Sequence, residues 1–272
     1  MRRPILTAES VTELGDEVRG AVLVAGSHGG LIASYLGARA EAHALILNDA
    51  GVGLDAAGIA GLPWLDAIGL AAATVAHTSA RIGDGADSLA RGVISHANTH
   101  ALRAGVMTGM TAQQAAALLV DAAAPFVTPP PYAEGRWRLD ADEEGEGARQ
   151  IWALDSVGKL VPEDARRVLL IGSHGALHGG RCDSALNLHG APLAARAAVF
   201  NDAGVGADGA GITRLPELDL RSVPAATVSH TSARIGDGRS MWASGVVSYV
   251  NRSAAARGAR VGMTAREFAV LF

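Results

Sequence analysis

Lysine and cysteine are nearly missing from the 272 residues: Lys159 and Cys182 are the single examples of each. A lone thiol closes no internal disulfide, so the core must hold the fold. Lys159 also lies outside every repeated motif described below, which argues against Schiff-base or pyridoxal phosphate chemistry. Aromatic residues are only 4% of the chain against 49% hydrophobic residues overall, so the core must be built from Ala, Val, Leu and Ile. The 34 glycines permit close packing against backbone. No apolar run reaches the roughly 18 residues that a membrane span needs. Met1-Arg2-Arg3 has the charge of an export signal, but Thr7, Glu9, Ser10, Thr12 and Glu13 leave no apolar stretch behind it, and a cytoplasmic protein is expected. Basic runs are absent and the formal net charge is −4, so nucleic acid is not an expected partner. There is no G-x-x-x-x-G-K-[ST], and Gly26-Ser27-His28-Gly29-Gly30 lacks the G-x-G-x-x-G spacing, so no nucleotide cofactor is expected.

What the chain has is a stretch written twice. His77-Thr78-Ser79-Ala80-Arg81-Ile82-Gly83-Asp84-Gly85 returns unchanged from His230 to Gly238, and Asn48-Asp49-Ala50-Gly51-Val52-Gly53 returns from Asn201 to Gly206, both at an offset of 153. Gly26-Ser27-His28-Gly29 returns as Gly172-Ser173-His174-Gly175 at an offset of 146, so the second copy carries seven extra residues between these motifs. The expectation is an internal tandem duplication with repeats over 1–120 and 149–272. The connector over 121–148 holds Pro129-Pro130-Pro131 and an acidic run from Asp140 to Glu146.

Val22 to Ala25, Ala44 to Leu47 and Ala72 to Val75 are short apolar runs ending in polar loops, as buried parallel strands do, with Val168 to Ile171 and Ala198 to Phe200 as counterparts. A helix is expected over Leu31 to Ala42. Asp55 and Asp208 read as caps of helices interrupted by Pro63 and Pro216. Asp84 and Asp237 read as the starts of single long helices stopped at Gly105 and Gly258. Thr111 with Gln114, and Thr264 with Glu267, have capping-box spacing. Three strands alternating with helices predict an α/β fold in each half: a small three-layer Rossmann-like unit with a parallel sheet. The halves are expected to be related by an approximate two-fold axis, and a homo-oligomer is allowed.

All the repeated polar motifs follow predicted strands, where ligands bind in parallel sheets. Of nine histidines, only His28/His174 and His77/His230 recur in register. These four, with Asp49/Asp202 to orient them and Ser79/Ser232 as hydroxyl candidates, form the expected catalytic set. Ser27, Gly29, Asn48, Thr78 and Arg81, with Ser173, Gly175, Asn201, Thr231 and Arg234, form the expected substrate-binding set. In it, Gly29-Gly30 would present backbone N–H groups to an anion and the arginine would clamp a carboxylate. The reading is a hydrolase of a small carboxylated or amide-bearing metabolite. The alternatives are an isomerase or lyase using the same groups, or a non-catalytic carboxylate binder. A divalent metal on two histidines and Asp49 is the weaker cofactor reading, because the residues lack short ligand spacing. In the second copy Gly30 becomes Ala176, and the insertion brings in His178, Arg181, Cys182, Asp183 and His189, so the two sites are expected to be unequal. Cys182 beside His174 or His178 is a further candidate nucleophile.

Overall fold

Apolar runs that are buried on both faces need a helix layer on each side. The computed structural model, which describes residues 2–123, 128–139, 150–188 and 191–272, supplies those layers. The chain divides into two compact units, one comprising Met1–Tyr132 with Val205–Ala210, the other Ala133–Gly204 with Gly211–Phe272. Residues 124–127 and 140–148 of the expected connector, with its whole acidic run, and His189 lie outside the described residues.

In the first unit β1 (Ile5–Ala8), β2 (Val22–His28), β3 (Ala44–Asn48) and β4 (Ala71–Val75) are parallel and lie in chain order, and β5 (Ile94–Ala97) closes the edge antiparallel to β4. Side chains alternate between the faces. Val22, Val24, Ala44, Ile46, Ala73 and Val75 pack with Ala112, Ala115, Ala116 and Leu119 of α5 (Ala112–Leu119). Leu23, Ala25, Leu45, Leu47 and Ala72 pack with Ala33 and Ala38 of α1 (Leu31–Arg39) and with Leu62 and Leu65 of α2 (Gly61–Ala67). Consecutive parallel strands joined by right-handed crossovers put α1 and α2 on one face, as found. The order has no reversal, the feature that forms the crevice of a doubly wound sheet.

The second unit has a sheet in the order β13-β12-β11-β8-β7-β6. Its β7 (Ile151–Leu154), β8 (Val168–His174), β11 (Ala197–Asn201) and β12 (Ala225–Val228) are parallel, while β6 (Arg136–Arg138) and β13 (Val247–Val250) are antiparallel edges. Between β8 and β11 lie two short paired strands, β9 (Asn187–Leu188) and β10 (Ala191–Pro192). Two apolar clusters again cover opposite faces. No helix among the described residues is long and apolar enough to cross a membrane.

Three expectations are corrected. The sheets hold five and six strands among the described residues instead of three. The strand β1 escapes notice because its four residues are half exposed and form no buried run. The long helices are broken: α3 (Gly85–Arg91) ends at Gly92, β5 follows, and α4 (Thr99–Arg103) starts after Asn98. Gly92 is extended at φ −60° and ψ 140°, and the chain then pairs with the open edge of β4. Asn98 fixes the next turn, accepting from Ala72 and Ala101 N–H and donating to the Leu70 carbonyl. The second unit repeats this with α7 (Gly238–Ser244), β13 and α8 (Arg252–Ala255). Finally, Asp55 and Asp208 cap no helix. They are left-handed, at φ 53° and 55°. The helices α2 and α6 (Arg214–Leu220) start later, with Pro63 and Pro216 in their first turns, where a missing N–H costs no helical bond. Asp84 and Asp237 do cap α3 and α7, and both capping boxes form, on α5 and on α9 (Ala265–Ala269).

Candidate active site

Gly26 lets the repeated loop seat against β2: a Cβ there would come within 2.2 Å of the Asp84 nitrogen, and Gly83 N–H donates to the Gly26 carbonyl. Gly172 and Gly236 do the same in the second unit. Register then sets His28 beside Asn48 and Asn48 beside Val75, so His28, Asp49 and His77 leave the carboxyl ends of three adjacent strands.

Asp49 is 4% exposed, and its Oδ1 accepts from Gly51 N–H at 3.0 Å and His77 N–H at 2.9 Å. The same oxygen lies 2.9 Å from His77 Nδ1. Burial pushes the Asp49 carboxyl up, but hydrogen bonds from the His77 side chain and main chain, Gly51 and Ser95 outweigh it and hold the group below the usual carboxylate range. In a neutral imidazole, an ionised carboxylate facing Nδ1 favours the tautomer with the proton there and the lone pair on Nε2. The His77 side chain is 25% exposed, so water reaches it. The second unit repeats the arrangement: Asp202 accepts from Gly204 and His230 N–H, faces His230 Nδ1 at 3.1 Å, and is lowered in the same way.

His28 is the opposite case. Its Nδ1 accepts from Gly30 N–H at 3.1 Å, and burial lowers its pKa to about 4. At neutral pH it is uncharged with the proton on Nε2, which makes it a hydrogen-bond donor and not a base. His174 accepts from Ala176 N–H through Nδ1 at 3.3 Å.

Several expected site residues are engaged elsewhere. The Gly29 amide donates to the Asn48 carbonyl and the Gly30 amide to His28, while the Gly175 amide donates to the Asn201 carbonyl, so no anion cradle forms. Gly29 is required for packing, since a Cβ would lie 2.7 Å from Thr74 Cγ2 and 2.8 Å from the Gly58 carbonyl. The Ser27 and Ser173 hydroxyls accept from Val11 and Val157 N–H. Ser79 donates to the Ala76 carbonyl at 2.7 Å and accepts from Val93 N–H at 2.9 Å, and Ser232 does likewise with Ser229 and Val246. Both hydroxyl protons are committed to carbonyls, and neither serine is poised as a nucleophile. Asn48 and Asn201 are fully buried and brace the loops through Ala80 and Ala233 carbonyls. Thr78 and Thr231 are exposed.

Arg81 is a tie, not an open clamp. It bonds Asp87 through its main-chain N–H and Nη2, and its Nε lies 3.4 Å from Asp208, within the first unit. Arg91 joins the same two carboxylates. Arg234 donates its N–H to Ser240, with Nη1 3.5 Å from Asp237. Cys182 is exposed, and its hydrogen bond to the Glu217 carboxylate pushes the thiol pKa up, away from a reactive thiolate. Among the described residues no group of three or more His, Cys, Asp or Glu side chains is placed to hold a metal ion, so the set of two histidines and Asp49 is not assembled.

Sequence reasoning missed Ser95 and Ser248. Each hydroxyl reaches the dyad carboxylate and lies 3.0 Å from a threonine hydroxyl, Thr74 or Thr227. All four residues recur at the offset of 153, but an expected helix hid them.

The chain matches no known family model, no curated protein and no solved structure. The most specific feature of the geometry is the pair of Asp–His dyads.

Proposed function

We propose that the chain is a duplicated α/β unit in which each copy carries a general-base centre for hydrolysis of a small carboxylated or amide-bearing metabolite. The observation that carries this reading is the buried carboxylate on Nδ1 of a solvent-reached imidazole, present at both Asp49–His77 and Asp202–His230. The duplication rests on the constant offset of the motifs and on the matching strand order of β1 to β5 and of β7, β8, β11, β12 and β13.

His77 Nε2 takes a proton from water as the water oxygen bonds to the substrate carbonyl carbon. The imidazolium, stabilised by Asp49, returns that proton to the leaving amine as the carbon–nitrogen bond breaks. Strands about 4.8 Å apart put the ends carrying His28 and His77 about 10 Å from each other, room for a small substrate between them. His28 Nε2–H then donates to the developing oxyanion, a role suited to a neutral imidazole. Water is the nucleophile, because Ser79 and Ser232 have no free proton to give. Arg81 and Arg234 do not hold the substrate carboxylate, since both are already engaged.

The test is turnover of a panel of small linear and cyclic amides by wild type and by the double variant Asp49→Asn, Asp202→Asn. The variant should lose roughly two to four orders of magnitude in kcat with circular dichroism unchanged. A folded double variant that keeps the wild-type rate overturns the reading.

A further inference from the structure

The second unit departs from the first where β8 ends. Where the first unit runs from His28 into α1, the described residues among 175–196 of the second form no α-helix, only two short 3₁₀ turns and the paired strands β9 and β10. A helix bonds its own carbonyls, whereas this segment needs donors from outside. Arg214 supplies them: Nε donates to the Ala176 carbonyl at 2.8 Å, and Nη1 donates to Ser184 at 3.1 Å and to Ala185. The matching position at the offset of 153 is Gly61, where even a Cβ would collide with Ser34 Oγ. The arginine therefore belongs with the irregular segment.

Neutral carbonyls satisfy the donors of a guanidinium but not its charge. Arg214 is 1% exposed, burial lowers its pKa only to about 10, and no carboxylate pairs with it among the described residues. The face of the Phe200 ring, 5.2 Å away, offsets part of that charge, but no described carboxylate balances it. Its Nη2 lies 3.3 Å from His178 Nε2. Arginine only donates, so His178 accepts there and holds its own proton on Nδ1. Burial, with the charges of Arg214 and Arg181, lowers the His178 pKa to about 3 and keeps the ring neutral. His178 is half-buried, and its Nδ1–H has no hydrogen-bond partner among the described residues. The ring stands 5.9 Å from that of His174, at the end of a strand paired with β11, which Asp202 directly follows.

We infer that His178, backed by Arg214, is an anion subsite of the second unit with no counterpart in the first, and that it takes a small monocarboxylate. One N–H donor and one positive charge that no described carboxylate balances match a single negative charge. The guanidinium stays buried and acts through the imidazole, polarising Nδ1–H toward the ligand. The subsite does not depend on either dyad being catalytic.

The test is a titration of the full-length protein with sodium acetate, with sodium chloride at equal ionic strength as the control, read by the His178 ¹⁵N resonances and by isothermal calorimetry. Acetate should give a saturable His178 shift that chloride does not. The Kd should rise about tenfold or more in Arg214→Met, and His178→Leu should abolish the calorimetric binding. Because Arg214→Met also strips bonds from the segment, His178→Leu, which leaves the three carbonyl bonds in place, decides if the first variant misfolds. Asp49→Asn with Asp202→Asn should bind acetate as wild type does, which separates this result from the fate of the hydrolase reading. No saturable shift, an equal response to chloride, or acetate binding unchanged in His178→Leu overturns the subsite. Saturation by inorganic phosphate without saturation by acetate overturns the carboxylate assignment.

Discussion

At His28 a main-chain N–H occupies Nδ1, and at His77 a buried carboxylate does; that difference decides which nitrogen holds the proton. It also sets the response to acid. The His28 pKa is lowered to about 4 in the folded state, so below the unfolded value of about 6.5 the unfolded chain binds more protons. Stability therefore falls as pH drops from about 6.5 toward 4, by up to roughly 3 kcal/mol from this residue. Urea unfolding at a series of pH values should show that slope, with less of it in His28→Gln. Asp49 acts in a lower window: its pKa is depressed, so its contribution is present above the ordinary carboxylate pKa and is lost as pH falls through the folded value. Ser79 gives a second test. Its hydroxyl closes a turn through two hydrogen bonds, so Ser79→Ala should cost about 1 to 2 kcal/mol in chemical denaturation and leave turnover within a few fold. A catalytic serine would instead lose activity with its stability intact. The paired histidines were legible in the sequence because they recur. Their opposite protonation was not, because it depends on a Gly30 amide and an Asp49 carboxylate that only the folded loops bring to Nδ1.

The loop after β3 holds Ala50, Gly51, Val52 and Gly53 at φ 49°, 74°, 61° and 70°. A β-branched residue is strained there, and Val52 is tolerated because Gly58 N–H bonds its carbonyl and its own N–H bonds that of Asp49. Val52→Gly should therefore raise the unfolding free energy by about 1 kcal/mol after the entropy lost to glycine, and the urea midpoint with it. A lower midpoint would show that the valine side chain contributes packing that outweighs the strain. Other elements differed in how plainly they could be read. The strands β2, β3 and β4 announce themselves as apolar runs because both faces are covered. The strand β5 did not, since Ile94 to Ala97 lies between an Asp cap and a Gly stop with spacing that suits one long helix. What overrides that pattern is tertiary: the free edge of β4 needs partners, and Asn98 bonds the chain to Leu70 and Ala72.

For the molecule as a whole, two dyads of matching geometry argue for two working centres with unequal surroundings. His77→Gln and His230→Gln should each leave residual turnover, and the two together should abolish it. Substrates that carry a carboxylate should depend more on His230, because the His178 subsite belongs to the second unit. Loss of all turnover in either single variant would contradict independent centres. The repeated motifs are the most legible feature of the chain, whereas Arg214 and its segment are opaque because they depart from the repeated pattern. The most direct measurement is the imidazole tautomer of each paired histidine at neutral pH, from ¹⁵N–¹H correlation spectra assigned with single-histidine variants. The account requires His77 and His230 protonated at Nδ1 with Nε2 bare, and His28 protonated at Nε2. His77 and His230 protonated at Nε2 alone would leave no lone pair for water, and the general-base reading would fall.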